Sequence, residues 1–208
     1  MEEKNIKNNG RCYVLGEVEY FKLMGGDFAK SALLLFETKE KTREWSDYIY
    51  SFNLLVSQAL ETLLKSIIAT RICLNKNNKS VEEIHCAIGK ELRCLGHKID
   101  NIFNEVPELK KALNIISIER SDNKFPQDEF IFTINESGKV KKFSIKNLEG
   151  IRYGSFARKR NLGANYDDGV KIFLQNLMNA VLKIQKKLIQ DFDSDIGCRK
   201  YLRVGYKM

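Results

Sequence analysis

The chain has 208 residues, of which 43% are hydrophobic, so it is long enough and apolar enough to bury the core of one large domain. Thirty-five Lys and Arg against 27 Asp and Glu give a formal net charge of +8. That charge favours phosphate-rich polymers or acidic partners, although it can also serve solubility alone. No run approaches the roughly 20 continuous apolar residues of a membrane span, and residues 1–10 are too polar for a signal peptide. We therefore expect a cytoplasmic protein without a membrane partner.

The first 45 residues predict a tail followed by one helix. Residues 1–11 are polar and Asn-rich, which is typical of a mobile tail. Gly25-Gly26-Asp27 is expected to break the chain and cap a core helix that ends in the charged run 37–43.

The strongest helical pattern follows. Apolar residues recur with helical spacing from about Ser46 to Leu74, which predicts one long core helix. After an Asn-rich loop, Ser80 and Glu83 have the spacing of a capping box, so a third helix is expected to start there. Gly96 suits the C-terminal stop of that helix.

The remaining elements change in periodicity. Short helices are predicted from His97 and from Pro107 through Ile116, followed by a β-hairpin in an insertion at about 128–146 and a last helix from about Tyr166 to Phe192. The sequence thus predicts an all-α protein: an up-and-down antiparallel helical bundle with a small β-hairpin insertion before the last long helix. Its helical domain would span 12–192, leaving 193–208 as a C-terminal tail.

Cysteine usage gives a further constraint. An odd number of cysteines without an export signal indicates reduced thiols rather than disulfides. His85-Cys86 and the spacing Cys94-x-x-His97 invite comparison with a zinc site. Neighbouring residues on a helix point about 100° apart, so His85 and Cys86 do not readily face one ion. We predict neither a metal site nor a cofactor.

Three motifs place polar groups inside the predicted bundle. The long helix carries Gln58-Ala59-Leu60-Glu61-Thr62-Leu63-Leu64-Lys65, a later turn reads Gly96-His97-Lys98-Ile99, and Arg152-Tyr153 precedes the last helix. In type, order and spacing these motifs resemble the HEPN superfamily of small helical nucleotide-binding and RNase-like proteins. The resemblance covers roughly residues 26–192 and implies a helical domain that commonly forms homodimers.

The same residues suggest a polar pocket. Glu61 and Lys65 lie one helical turn apart in the favoured order for an ion pair, and Gln58 lies one turn earlier. If this seam faces inward it needs partners, and the other two motifs offer them. The expected pocket contains the following residues: Gln58, Glu61, Lys65, His97, Arg152 and Tyr153. A solvated Glu–Lys pair is the simpler alternative.

Catalytic HEPN proteins resemble one another in an Arg that precedes a His by four to six residues, and they cleave RNA without a metal. Arginine can hold the scissile phosphate while histidine moves a proton. Here Arg93 has only three residues between it and His97, and Gly96 interrupts the helix, so this motif is broken. A divergent RNase that uses Arg93 and His97 remains one alternative.

We therefore expect a non-catalytic HEPN-like module that binds RNA, a nucleotide or a partner protein, in the toxin–antitoxin or phage-defence contexts that the superfamily often occupies. A structural dimerisation or adaptor subunit for a nucleotidyltransferase or nuclease is the other alternative. Basic residues before and on the last helix predict a surface that follows phosphates: Arg158, Lys159, Arg160, Lys183, Lys186 and Lys187.

Overall fold

The computed structural model describes residues 2–39, 45–75, 80–120, 129–146 and 168–193. Within these ranges the chain is mostly helical, with a small three-stranded antiparallel sheet before the last helix. The elements in chain order are α1 (Glu2–Lys39), α2 (Trp45–Leu74), α3 (Val81–Leu95), α4 (Ile99–Asn104), α5 (Pro107–Ala112), β1 (Ile115–Arg120), β2 (Glu129–Glu136), β3 (Lys139–Lys146) and α6 (Asp168–Asp193).

Helix α1 differs from the sequence prediction at two places. Residues 2–11 belong to the helix, where a polar tail was expected, and the helix continues through Gly25-Gly26-Asp27 without a break. At Gly25 the reason is tertiary packing: a Cβ added there would lie 2.9 Å from Leu63 Cγ and 3.0 Å from the Leu63 backbone nitrogen. Gly25 therefore allows α1 to approach α2 closely, and this contact outweighs the low helix propensity of glycine.

Helix α2 lies at the centre of the core and confirms the predicted long helix. It packs on α1 and also contacts α3, α4, β3 and α6. The segment Ser51–Leu74 is long and apolar enough to cross a membrane, but 72% of that window is buried inside the protein. A core helix meets the same criteria of length and composition, so the pattern is explained by packing.

The ends of α3 follow their predicted signals. The Ser80 hydroxyl accepts a hydrogen bond from the Glu83 backbone N–H at 3.1 Å, and the Glu83 carboxylate accepts one from the Ser80 N–H at 3.2 Å, which completes the capping box. The helix stops at Gly96, whose φ of 55° lies in the left-handed region that favours glycine. The chain then turns through His97 into α4.

The sheet contains one strand more than the sequence predicted. Strands β2 and β3 form the expected hairpin, in which Ser137 and Gly138 both have positive φ, as a tight hairpin turn requires. The predicted helix through Ile116 is wrong beyond Ala112, because Ile115–Arg120 forms β1 and pairs antiparallel with β2. Pairing with an existing strand outweighs the local helical spacing.

The sheet joins the helices through aromatic side chains. Phe132 on β2 stacks against Phe143 on β3, with ring centroids 5.4 Å apart, and also contacts Phe173 on α6 at 5.1 Å. Phe103 on α4 meets the same ring edge-on at 5.7 Å. These four rings are buried, so the sheet shares one hydrophobic core with α2, α4 and α6.

Candidate functional site

Glu61 is the centre of the polar cluster in the first two motifs. It lies on α2 between apolar residues of the core, and only 10% of its side chain is exposed. A carboxylate taken out of water in this way needs charged or hydrogen-bonding partners to compensate for its lost hydration.

Two side chains supply that compensation. Lys65 Nζ donates to Glu61 Oε1 at 2.6 Å from one turn along α2. His97 Nδ1 approaches both carboxylate oxygens, at 2.9 and 2.8 Å, from the turn between α3 and α4. The structure thus brings together Glu61, Lys65 and His97, and the solvated Glu–Lys pair does not describe this cluster.

The geometry also assigns a proton. Because the ion pair with Lys65 implies an ionised carboxylate, which only accepts hydrogen bonds, His97 Nδ1 carries the hydrogen. The contact ties the turn after α3 to the central helix across 36 residues of sequence. It also fixes the ring orientation, and Nε2 remains as the second functional nitrogen.

The other members of the expected pocket do not hydrogen-bond to this cluster in the described structure or lie outside the described residues. Gln58 is half-buried one turn before Glu61 and, within the described part of the chain, makes no hydrogen bond to this cluster. Arg152 and Tyr153 lie outside the described residues.

Arg93, the arginine of the RNase alternative, does not join His97. Arg93 is exposed on the last turn of α3, and one guanidinium nitrogen lies 3.8 Å from the Cβ that an alanine at position 89 would have. The guanidinium therefore lies toward the N-terminus of α3, whereas His97 follows the C-terminus of that helix. In the described structure no hydrogen bond joins these two groups.

The exposed face of α6 carries a cluster of three lysines in its C-terminal half. Lys183, Lys186 and Lys187 are all exposed, and their spacing of three and four residues places them on one side of the helix. Among the described residues, none of these three lysines has an acidic partner within ion-pair distance. The sequence contains no Asp or Glu from position 169 to 190, and the nearest carboxylate of α6 that follows the lysines is the exposed Asp191, one turn after Lys187. Arg158, Lys159 and Arg160 lie outside the described residues.

A buried polar contact that the sequence analysis missed orients this face. Gln185 is 3% exposed, and its Nε2 donates to Ser66 Oγ at 2.9 Å and to Thr70 Oγ1 at 3.2 Å on α2. Its carbonyl oxygen is buried without a hydrogen-bond partner in the described structure. Since Gln185 points inward, its neighbours at 183, 186 and 187 point outward. Its place one turn after the core residue Val181 is a signal that could have revealed it.

Other polar contacts hold elements together away from this cluster. Arg71 on α2 donates to the Glu105 carbonyl and pairs with Glu108. Arg120 pairs with Asp100 at 2.9 Å and lies over the Phe130 ring. Each contact joins distant parts of the chain, so these arginines have structural partners.

Among the residues that the structure describes, two titratable groups outside the cluster have shifted pKa values. Burial lowers the pKa of Lys22 on α1, which pairs with Glu19. The pKa of Glu82 is lowered by a hydrogen bond from its own backbone N–H and then by one from Ser80, at the N-terminus of α3. Both shifts follow from local structure.

The thiols and histidines do not gather into a metal site within the described ranges. No group of three or more His, Cys, Asp or Glu side chains there could hold an ion. Cys73 is buried, whereas Cys86 and Cys94 are exposed free thiols. His85 pairs with Glu17 on α1 at 2.8 Å.

Comparisons of this chain with protein-family models, with curated proteins and with solved structures found no match. We therefore infer the function from the residues and the geometry described above.

Proposed function

We propose that this chain is a non-catalytic RNA-binding module, an up-and-down HEPN-like helical bundle that holds RNA on the exposed face of α6. The single observation that carries the proposal is the face formed by Lys183, Lys186 and Lys187, which are exposed and without acidic partners in the described structure. Lysine ammonium groups bind phosphates as point charges, and each contact releases a condensed counterion.

The composition of the rest of this face fits the same ligand. Gln175, Asn176, Asn179 and Gln190 are also exposed on α6. Their amides offer donors and acceptors to the 2′-hydroxyls and base edges of RNA. From residue 175 to 190 the helix is about 22 Å long, which is enough to follow several phosphates. We favour RNA over a mononucleotide because the lysines and the amides together extend along an exposed helix face and do not converge on one pocket.

The positions of Arg93 and His97 favour binding without catalysis. The Arg93 guanidinium lies back along α3 toward position 89, and in the described structure no hydrogen bond joins it to His97. We assign Glu61, Lys65 and His97 to holding the α3–α4 turn on α2.

The proposal is tested with the charge-reversal triple variant Lys183→Glu/Lys186→Glu/Lys187→Glu. Binding of a fluorescent single-stranded RNA is measured by anisotropy at several salt concentrations. We expect the dissociation constant to rise at least about tenfold, and the slope of log K against log salt to fall by up to about two units, at roughly 0.7 for each lost phosphate contact.

A matched control changes the same charge elsewhere. Lys111, Lys139 and Lys142 are exposed lysines on α5 and β3, and their triple change to Glu alters the net charge by the same amount. We expect a much smaller effect. Equal weakening by both triples would mean that only bulk charge matters, and absence of RNA binding by the unmodified protein would leave a protein adaptor as the better hypothesis. Competition by a mononucleotide at micromolar concentration would favour a nucleotide as ligand.

One observation favours the RNase alternative as a second candidate. A carboxylate on one ring nitrogen orients a histidine so that the other nitrogen can transfer a proton, and Glu61 contacts His97 in this way. RNA cleavage that persists after repurification and is lost in both Arg93→Ala and His97→Ala, at unchanged thermal midpoints, would establish that candidate.

A further inference from the structure

The outer face of α1 carries exposed apolar side chains at regular spacing. Tyr13, Tyr20 and Leu34 are 64%, 67% and 63% exposed, and they are seven and fourteen residues apart. Multiples of seven return to nearly the same side of a helix, so the three form one row, the α1 row. This row lies opposite the buried side of α1, which holds Ala29 and Phe36.

Large exposed aromatic and aliphatic side chains in a row are typical of interaction surfaces. The fourth position of the same spacing is Asp27, which is exposed. Within the described structure no cation lies at ion-pair distance from Asp27. From 13 to 34 the α1 row is about 32 Å long.

We propose that the α1 row is the docking surface for α1 of a second copy of this chain, in antiparallel orientation about a two-fold axis between Leu23 and Met24. In this register Tyr13 faces the second copy's Leu34, and Tyr20 faces the second copy's Asp27. Each contact occurs twice, as a two-fold interface requires.

The α1 row is complementary to itself, and only in the antiparallel orientation of the two helices. The antiparallel register places a phenol hydroxyl, which donates, opposite a carboxylate, which accepts. A parallel pairing would place Asp27 against Asp27 and repel. The antiparallel register also sets Gly16 against the second copy's Ser31, and small residues at both positions let the helix axes approach closely.

The proposal is independent of RNA binding, because it uses α1 alone. Sedimentation equilibrium of the full chain at micromolar concentration should give a particle of twice the 24.1 kDa chain mass. Tyr13→Lys and Leu34→Glu should each raise the dimer dissociation constant at least about tenfold. As a matched control, Ile116→Lys replaces an apolar residue of similar exposure, 58%, on β1 and should leave the constant unchanged.

The register is tested by charge pairing. The double variant Tyr13→Lys/Leu34→Glu should regain most of the lost affinity, because each new lysine faces a new glutamate on the other copy. Tyr13→Lys/Tyr20→Glu should lose more than either single change, because Glu at position 20 faces Asp27. A 24 kDa particle in the unmodified protein, or a dimer that the row variants do not weaken, would overturn the proposed surface. Weakening without rescue would overturn the antiparallel register.

Discussion

The two histidines of this chain each pair with a glutamate, and the two glutamates differ in burial. His97 Nδ1 lies 2.8 Å from Glu61, and His85 Nε2 lies 2.8 Å from Glu17. The partners differ in environment: the Glu61 side chain is 10% exposed and that of Glu17 is 43% exposed. We predict that His97→Ala lowers the free energy of unfolding by about 1–2 kcal/mol, whereas His85→Ala lowers it by less than about 1 kcal/mol.

The magnitudes follow from the two sites. A hydrogen bond to a buried charged group contributes about 1.5–3 kcal/mol. Since Lys65 still holds Glu61 and His97 is one-third exposed, the loss should lie near or slightly below the lower end of that range, at about 1–2 kcal/mol. An exposed pair contributes about 0.2–1 kcal/mol, and alanine improves the helix propensity at position 85.

Denaturant unfolding of the two variants and of the unmodified protein measures both losses, with a thermal midpoint shift of about 2–4 °C for each kcal/mol as a second readout. Double-mutant cycles with Glu61→Gln and with Glu17→Gln isolate the pair energies, and the first coupling should be the larger. Equal losses and equal couplings at the two sites would refute the view that the burial of Glu61 gives its histidine contact its strength.

Three further predictions use other parts of the structure. Gly25→Ala should lower the free energy of unfolding, measured in urea, by about 1–3 kcal/mol, because the new Cβ would lie 2.9 Å from Leu63 on α2. Gly26→Ala, whose Cβ would have nothing within 4 Å, should raise it by about 0.5–1 kcal/mol. The reverse order would contradict the close approach of the helices. The free energy of unfolding of Gln185→Met should stay within about 1 kcal/mol of that of the unmodified protein, because methionine keeps the buried volume and removes an unpaired carbonyl. Gln185→Ala should be less stable than Gln185→Met. A methionine variant as unstable as the alanine variant would show that the amide contacts dominate. Purified protein should leave single-stranded RNA intact in a gel assay with or without chelator, because the Arg93 guanidinium lies back toward position 89 and makes no hydrogen bond to His97 in the described structure. Degradation that tracks the protein through repurification would contradict this expectation.

Local signals in the sequence were sufficient for several elements. The apolar repeat of α2, the capping box at Ser80 and the left-handed stop at Gly96 depend on residues within a few positions of one another, so their structure could be predicted without knowing the rest of the fold. The β2–β3 hairpin belongs to the same class, because its turn residues lie between its two strands. The motif order also led us to expect that Glu61, Lys65 and His97 would meet, although the sequence supplied no distance.

Tertiary structure decided the features that depend on distant partners. Gly25 allows α1 to lie against α2 without a break in the helix, and Ile115–Arg120 is a strand that pairs with β2. In the sequence, Gln185 is one polar residue beside an apolar stripe. Only the fold brings it within hydrogen-bond distance of the Ser66 and Thr70 hydroxyls on α2. The sequence by itself therefore determined where most helices begin, end and bury a face, because those properties follow from short-range spacing. The packing of segments far apart in the chain decided which buried polar groups find partners. It also decided which charged and apolar faces stay uncovered.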